Sequence, residues 1–377
     1  MHMPQAGIEA GQAGAPGRAA GKAWSAGPAR GGAGRACTLA LALFSSLGAG
    51  GAWAQAGDGA ATAPQSASIP LVARPDRSGF TNFVRVTAGG GSGGTVLLDT
   101  GSTGLRIRQE ALGPEVTLTD IPLTYSYTSG NVLTGVLGYA LVAFPGASPA
   151  VATAEPIAIH VVQSITCKPE VPNCPKWKPT EAGVMGVAYS AVPVFNPLAQ
   201  LPGALATGFI VVANDRADRA LAPRIEVGLT PANTAGFAFA SFAPEDGRQP
   251  QGLKAWNTKS IPTCFSVDDD PPGCGVTVFD TGAGSGSFET PGLDPALLHT
   301  GIPRGHTVTT SVAGAMALSV TSGRKAWLNR YRYEPPHGSV KGFNSGGLVF
   351  RYYKVLFDGV NGRIGFSPAG PVTATRK

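Results

Sequence analysis

The stretch V-L-L-D-T-G-S-T-G-L-R-I, residues 96–107, ends an apolar run in a single carboxylate, Asp99, and follows it at once with Thr-Gly-Ser. A second stretch, V-T-V-F-D-T-G-A-G-S-G-S-F, residues 276–288, repeats the arrangement around Asp280. A strand that turns on Thr-Gly can carry its acid close to a partner backbone, because glycine tolerates approaches and dihedrals that a Cβ forbids. Two such turns facing each other would bring two carboxyl groups within hydrogen-bonding reach. Like charges that close cannot both ionise, so the pair would hold one proton and titrate as a unit. One member is then a base and the other an acid, which suits attack of water on an amide without a metal, a cofactor or a covalent nucleophile.

The spacing gives these turns their meaning. Asp99 and Asp280 lie 280 − 99 = 181 residues apart in a chain of 377, roughly half of its ordered length, which predicts two similar lobes with one acidic turn each. Composition agrees with an all-β reading: only 14% of residues are charged, and 53 glycines and 32 prolines leave little room for long solvated helices. Short β-type runs dominate from Phe80 onward, among them F-V-R-V-T, T-V-L-L, Y-A-L-V-A-F, I-A-I-H-V-V, F-I-V-V-A, R-I-E-V-G-L, G-F-A-F-A-S-F, T-V-T-T-S-V, M-A-L-S-V and Y-K-V-L-F. Only L-D-P-A-L-L-H-T (293–300) and P-L-A-Q-L-P (197–202) read as short helices.

The net charge of +6 is concentrated at the start, where Arg18, Lys22, Arg30 and Arg35 oppose only Glu9. Without that +3 the rest carries 6 − 3 = +3 and has no basic run or aromatic-interleaved patch, so nucleic-acid binding is disfavoured. The basic stretch, the apolar segment Ala36 to Leu47 and the A-W-A at Ala52 to Ala54 read as a signal peptide over residues 1–54, with export to the periplasm or the extracellular space and no stable membrane insertion. The competing reading is an uncleaved anchor, for which the apolar core is short. Residues 55–68 are small and polar and read as a disordered lead-in. The charged segment D-R-A-D-R-A-L-A-P-R (215–224) marks a lobe boundary, giving an N-terminal lobe over 69–222, a C-terminal lobe over 223–370 and a tail over 371–377. Four cysteines remain after the signal, in two local pairs, Cys167 with Cys174 and Cys264 with Cys274. In an exported chain such spacing argues for two disulfides. A zinc site is the weaker alternative, since no C-x-x-C spacing occurs and the five histidines are scattered.

Taken together, the chain from about Ile69 to Ser367 resembles the pepsin family of aspartic proteases, as an exported member of bacterial type. L-T-Y-S-Y-T-S-G-N-V-L-T-G-V-L-G-Y (123–139) is similar to the family's flap hairpin, with Tyr127 as the covering tyrosine, Tyr125 as the fallback, and Ser129 and Gly130 at the tip. G-V-M-G-V-A-Y-S (183–190) is similar to the strand that crosses behind the first catalytic turn, and V-F-R-Y-Y-K-V-L-F-D-G-V-N-G-R-I-G-F (349–366) to the last hairpin. The resemblance implies a two-lobed, all-β acid protease with Asp99 and Asp280 as the catalytic pair, acting on a polypeptide as a monomer. It further implies that Thr100 and Thr281 cross-link the turns, that Gly101 and Gly282 keep them tight, and that Ser102 donates to the outer oxygen of Asp99.

Four positions depart from the pattern. Ala283 stands where two-lobed members carry Thr or Ser, so Asp280 is expected to lack a hydroxyl donor and to have a raised pKa. Arg106 replaces a tryptophan that bonds the flap tyrosine; its guanidinium would either serve the Tyr127 hydroxyl or face solvent. F-N-S-G-G (343–347) puts Asn344 and Ser345 where the second crossing strand is expected to be apolar, which weakens the support behind Asp280. Residues 55–68 do not resemble the basic propeptide of family zymogens. Two other functions fit parts of the pattern. L-D-T-G-S-T-G-L-R-I also resembles the first nucleotide loop of sugar kinases and actin-like ATPases, but the long βαβ helices of that fold are missing from the sequence pattern. A pepsin-like cleft that binds peptides without cleaving them is the non-enzymatic alternative.

Overall fold

The computed structural model describes residues 65–76, 79–213, 222–248, 250–289, 296, 300–323, 330–334 and 342–369. The signal peptide over 1–54, most of the lead-in, the stretch 214–221 of the boundary segment, nearly all of the helix expected at 293–300 and the tail over 371–377 lie outside the described residues. The other expected helix forms a single 3-10 turn, Pro197–Gln200, begun by Asn196, whose side chain accepts from the Leu198 N–H. No helix among the described residues is long and apolar enough to cross a membrane.

Strands carry the architecture, and their burial follows period two where one side is open. Met316–Thr321 alternates buried and exposed at every residue. Glu181–Val187 and Gly208–Val212 are buried throughout, as expected of central strands covered on both sides. The run Y-A-L-V-A-F does not continue as one strand: Asn131–Ala140 and Val142–Ala143 are separated at the exposed Leu141.

The repeat predicted from the spacing of the two Asp-Thr-Gly turns is present in the strand wiring. In the first half Gly94–Asp99 pairs parallel with Glu181–Val187, which pairs antiparallel with Thr103–Arg108, which pairs parallel with Ile157–Cys167. In the second half Gly273–Val278 pairs parallel with Gly342–Asn344, which pairs antiparallel with Gly286–Glu289, which pairs parallel with Tyr331–Glu334. The same order of parallel and antiparallel contacts thus surrounds each acidic turn.

A sheet common to both halves holds the turns from beneath. Its neighbouring strands include Arg363–Pro368, Tyr353–Asp358, Gly208–Val212, Arg224–Val227 and Ala67–Asp76, so the last hairpin of the chain pairs with strands from the first half. Phe209 stacks on Phe357 with ring centroids 4.9 Å apart, and Phe279, the residue before Asp280, meets Phe366 edge-on at the same separation. Burying each such side chain contributes about 1.5–3 kcal/mol. One core therefore underlies both acidic turns and fixes them against each other.

Candidate active site

Each acidic turn is shaped by a strand that passes behind it. Asp99 is registered with Gly186, where an added Cβ would lie 2.6 Å from the Ser102 carbonyl carbon, so only glycine lets the strand cross that closely. Behind the second turn Val278 is registered with Asn344, and the Asp280 N–H donates to the Ser345 hydroxyl at 3.2 Å.

The turns are locked face to face by reciprocal hydrogen bonds. The Thr100 N–H donates to Thr281 Oγ1 at 3.1 Å and the Thr281 N–H to Thr100 Oγ1 at 3.0 Å. Each hydroxyl then donates across the interface, Thr100 to the Phe279 carbonyl at 2.6 Å and Thr281 to the Leu98 carbonyl at 2.7 Å. Both threonines are fully buried, so these polar groups have no water to fall back on. A Cβ on Gly101 would lie 2.7 Å from Asp280 Cγ, and one on Gly282 would lie 2.6 Å from Asp99 Oδ1. Glycine at both places is what lets the two carboxyl groups come into hydrogen-bond contact with each other.

The electrostatics of the pair follow from its donors. Asp99 accepts from the Gly101 N–H at 2.9 Å on one oxygen and from the Ser102 hydroxyl at 2.5 Å on the other. Asp280 accepts from the Gly282 N–H at 2.7 Å, and its other oxygen accepts from Asn344 Nδ2 at 2.8 Å. No hydroxyl donates to Asp280 from position 283, as Ala283 implies, yet the carboxyl does not go without a side-chain donor. The donor comes from the crossing strand, and the polar Asn344 that looked like weakened support supplies it. Asn344 is held for this task, since its Oδ1 accepts from the Gly346 N–H at 2.8 Å. The Asp280 pKa is nevertheless raised well above the carboxylate range, first by burial and then by the adjacent Asp99, against the opposing bonds from Asn344 and Gly282. That direction favours the protonated form of Asp280.

The hairpin of Thr117–Ser126 and Asn131–Ala140 brings two tyrosines to the site. Tyr125 is half-buried and lies within electrostatic reach of both aspartates; its pKa is pushed up to about 12, first by burial, with Arg106 opposing and the two acids adding to it. Tyr127 is buried with Leu133, Val162 and Val184, beside Asp99 and Ser102, and burial raises its pKa further. The rings meet edge-on with centroids 4.9 Å apart. Ser129 donates to Asn131 Oδ1 at 3.1 Å, and Gly130 closes the turn at a φ of 91°.

Neither expected role of Arg106 is found. It is buried at 4% exposure, Nη1 donates to the Gly104 carbonyl at 3.1 Å, and the guanidinium carbon lies 3.4 Å from the Tyr125 ring centroid. A cation on the face of Tyr125 takes the place of a hydrogen bond to Tyr127. Its charge also acts on the buried His160, whose pKa is lowered to about 4, first by burial and then by Arg106. Lys259 is a further residue that the sequence pattern did not single out: it lies within electrostatic reach of Asp280 and Asp99. No local motif marks it, since it follows the strand Lys254–Asn257 and lies outside both Asp-Thr-Gly stretches. The cysteines pair as the local spacing indicates, Cys167 with Cys174 and Cys264 with Cys274, so none of the four is a free thiolate.

The backbone is similar to the crystal structure of aspartic proteinase from Irpex lacteus, with a TM-score of 0.57 and 12% sequence identity, over 83% of this chain and 100% of that one. No protein-family model and no curated protein sequence matches the chain. The fold is all-β and two-lobed, of the pepsin-like acid protease type.

Proposed function

We propose that this protein is an aspartic endopeptidase that hydrolyses peptide bonds in polypeptides with a water molecule activated between Asp99 and Asp280. The observation that carries the reading is the pair of buried carboxyl groups, each set against the glycine of the opposite Asp-Thr-Gly turn and in contact with the other. With the proton on Asp280, Asp99 takes a proton from the attacking water while Asp280 gives its own to the carbonyl oxygen. The resulting gem-diol collapses as the leaving nitrogen is protonated, and the proton returns to the pair. The donors around the acids hold both side chains through these transfers, so little reorganisation is needed.

In this reading residues 69–222 and 223–370 are the two lobes and the polypeptide lies extended between them. The hairpin bearing Tyr125 and Tyr127 covers the substrate, which pairs through strand-like backbone bonds while alternate side chains enter pockets. The protein acts as a monomer after export to the periplasm or the extracellular space. Two disulfides are compatible with an oxidising compartment. The test is cleavage of a denatured protein mixture from about pH 3 to about pH 7 with and without pepstatin, beside the Asp99→Asn protein. Pepstatin-sensitive cleavage that disappears in the variant is expected. Folded protein that binds peptides and cleaves none at any pH would replace the reading with a silent pepsin-like binder.

A further inference from the structure

The hairpin over the aspartates does not end in a free tip. Its second strand is paired with Ile157–Cys167 from its very first residue, with Asn131 opposite Cys167, Val132 opposite Thr166, Leu133 opposite Ile165 and Thr134 opposite Ser164. The register shifts between Thr134 and Gly135, so these four pairs form a tip segment distinct from the base of the ladder. Beyond Cys167 the chain folds back over the tip in the loop closed by Cys174. Lys168 N–H donates to the Gly130 carbonyl at 2.8 Å, and a Cβ on Gly130 would lie 2.7 Å from Val171 Cβ. The hub is Asn131, 4% exposed, whose Nδ2 donates to Cys174 Sγ at 3.1 Å and to the Pro175 carbonyl at 2.6 Å. Its backbone carbonyl accepts from the Tyr127 N–H at 2.9 Å, which ties the loop to the tyrosine beside Asp99.

We infer that Asn131 and the Cys167–Cys174 loop are positioning elements that tether the tip of the covering hairpin, so that tip and loop move as one body over the substrate. This rests on the peptidase reading above. With the tether intact Tyr127 and Tyr125 keep their places before substrate arrives, and less ordering is left for binding to supply. Without it, the hairpin must be immobilised at the expense of affinity, while the aspartates, which the tether does not touch, work as before.

The experiment compares the protein with Asn131→Asp, which keeps the shape but cannot donate to Cys174 or Pro175, and with Cys167→Ser/Cys174→Ser. Cys264→Ser/Cys274→Ser serves as the control for loss of a disulfide as such. Amide hydrogen exchange at residues 127–131 is expected to accelerate by about tenfold in the first two and to stay unchanged in the control. In peptide cleavage KM should rise by about fivefold with kcat within about twofold. Folded Asn131→Asp protein with unaltered exchange at the tip, or a control that loosens the tip equally, overturns the inference. If no variant and no parent protein cleaves, the peptidase reading has failed, and exchange at the tip alone decides the tether.

Discussion

Replacing Asn344 by leucine puts an apolar side chain where the crossing strand was expected to have one and removes the donor at 2.8 Å from the outer oxygen of Asp280. A hydrogen bond to an ionised group contributes about 1.5–3 kcal/mol, and one pKa unit corresponds to about 1.4 kcal/mol. Loss of the donor therefore disfavours the doubly ionised pair by about 1 to 2 units. The Asp280 pKa is already raised, first by burial and then by Asp99. The step that moves most is thus the second one, loss of the shared proton, which sets the alkaline limb of the activity profile. The assay is kcat/KM on one peptide from about pH 3 to about pH 8, with the alkaline limb displaced upward in Asn344→Leu. The substitution also strands the Gly346 N–H, so thermal unfolding is recorded alongside and should fall by several degrees. Adding Ala283→Ser to the leucine variant should return the limb toward its original position, by placing a hydroxyl where Ser102 stands in the other turn. Ala283→Ser alone should move the limb much less, because Asn344 already occupies that oxygen. An alkaline limb left in place by Asn344→Leu in folded protein would refute the argument that the amide holds the Asp280 carboxylate.

Thr281→Val leaves the Leu98 carbonyl and the Thr100 N–H buried without their partner, and should cost about 2–5 kcal/mol in chemical denaturation; a loss under about 0.5 kcal/mol would show that the cross-link is dispensable. His160 is held neutral in the folded state, with a pKa lowered from 6.5 to about 4. The unfolded chain takes up its proton first as pH falls below about 6.5, so about 3 kcal/mol of stability is lost between there and about pH 4 and none above that window. His160→Asn should flatten unfolding free energy against pH over this interval, and an unchanged slope would assign the acid sensitivity to other groups.

Features that depend on short spans of chain are legible in the residues alone. Alternating apolar residues specify strands, Asp-Thr-Gly specifies a turn that admits close approach, and cysteines seven and ten residues apart specify which partner each finds. The half-chain spacing of the two turns added the two-lobed all-β fold, because a repeated local pattern folds by repeated wiring. Juxtapositions between residues distant in sequence arise only once the chain has folded. Asn344 reads as a flaw in an apolar strand until the parallel pairing with Gly273–Val278 sets it against an acid 64 residues earlier. Arg106 reads as a donor to Tyr127 or a solvent-facing cation until the hairpin of Thr117–Ser126 and Asn131–Ala140 lays the Tyr125 ring against it. Asn131 looks like an ordinary turn residue until the loop beyond Cys167 returns to it from 43 residues away. In each case the side chain's chemistry is visible in the sequence, but its partner is chosen by the register of strands that meet only when the whole sheet has formed.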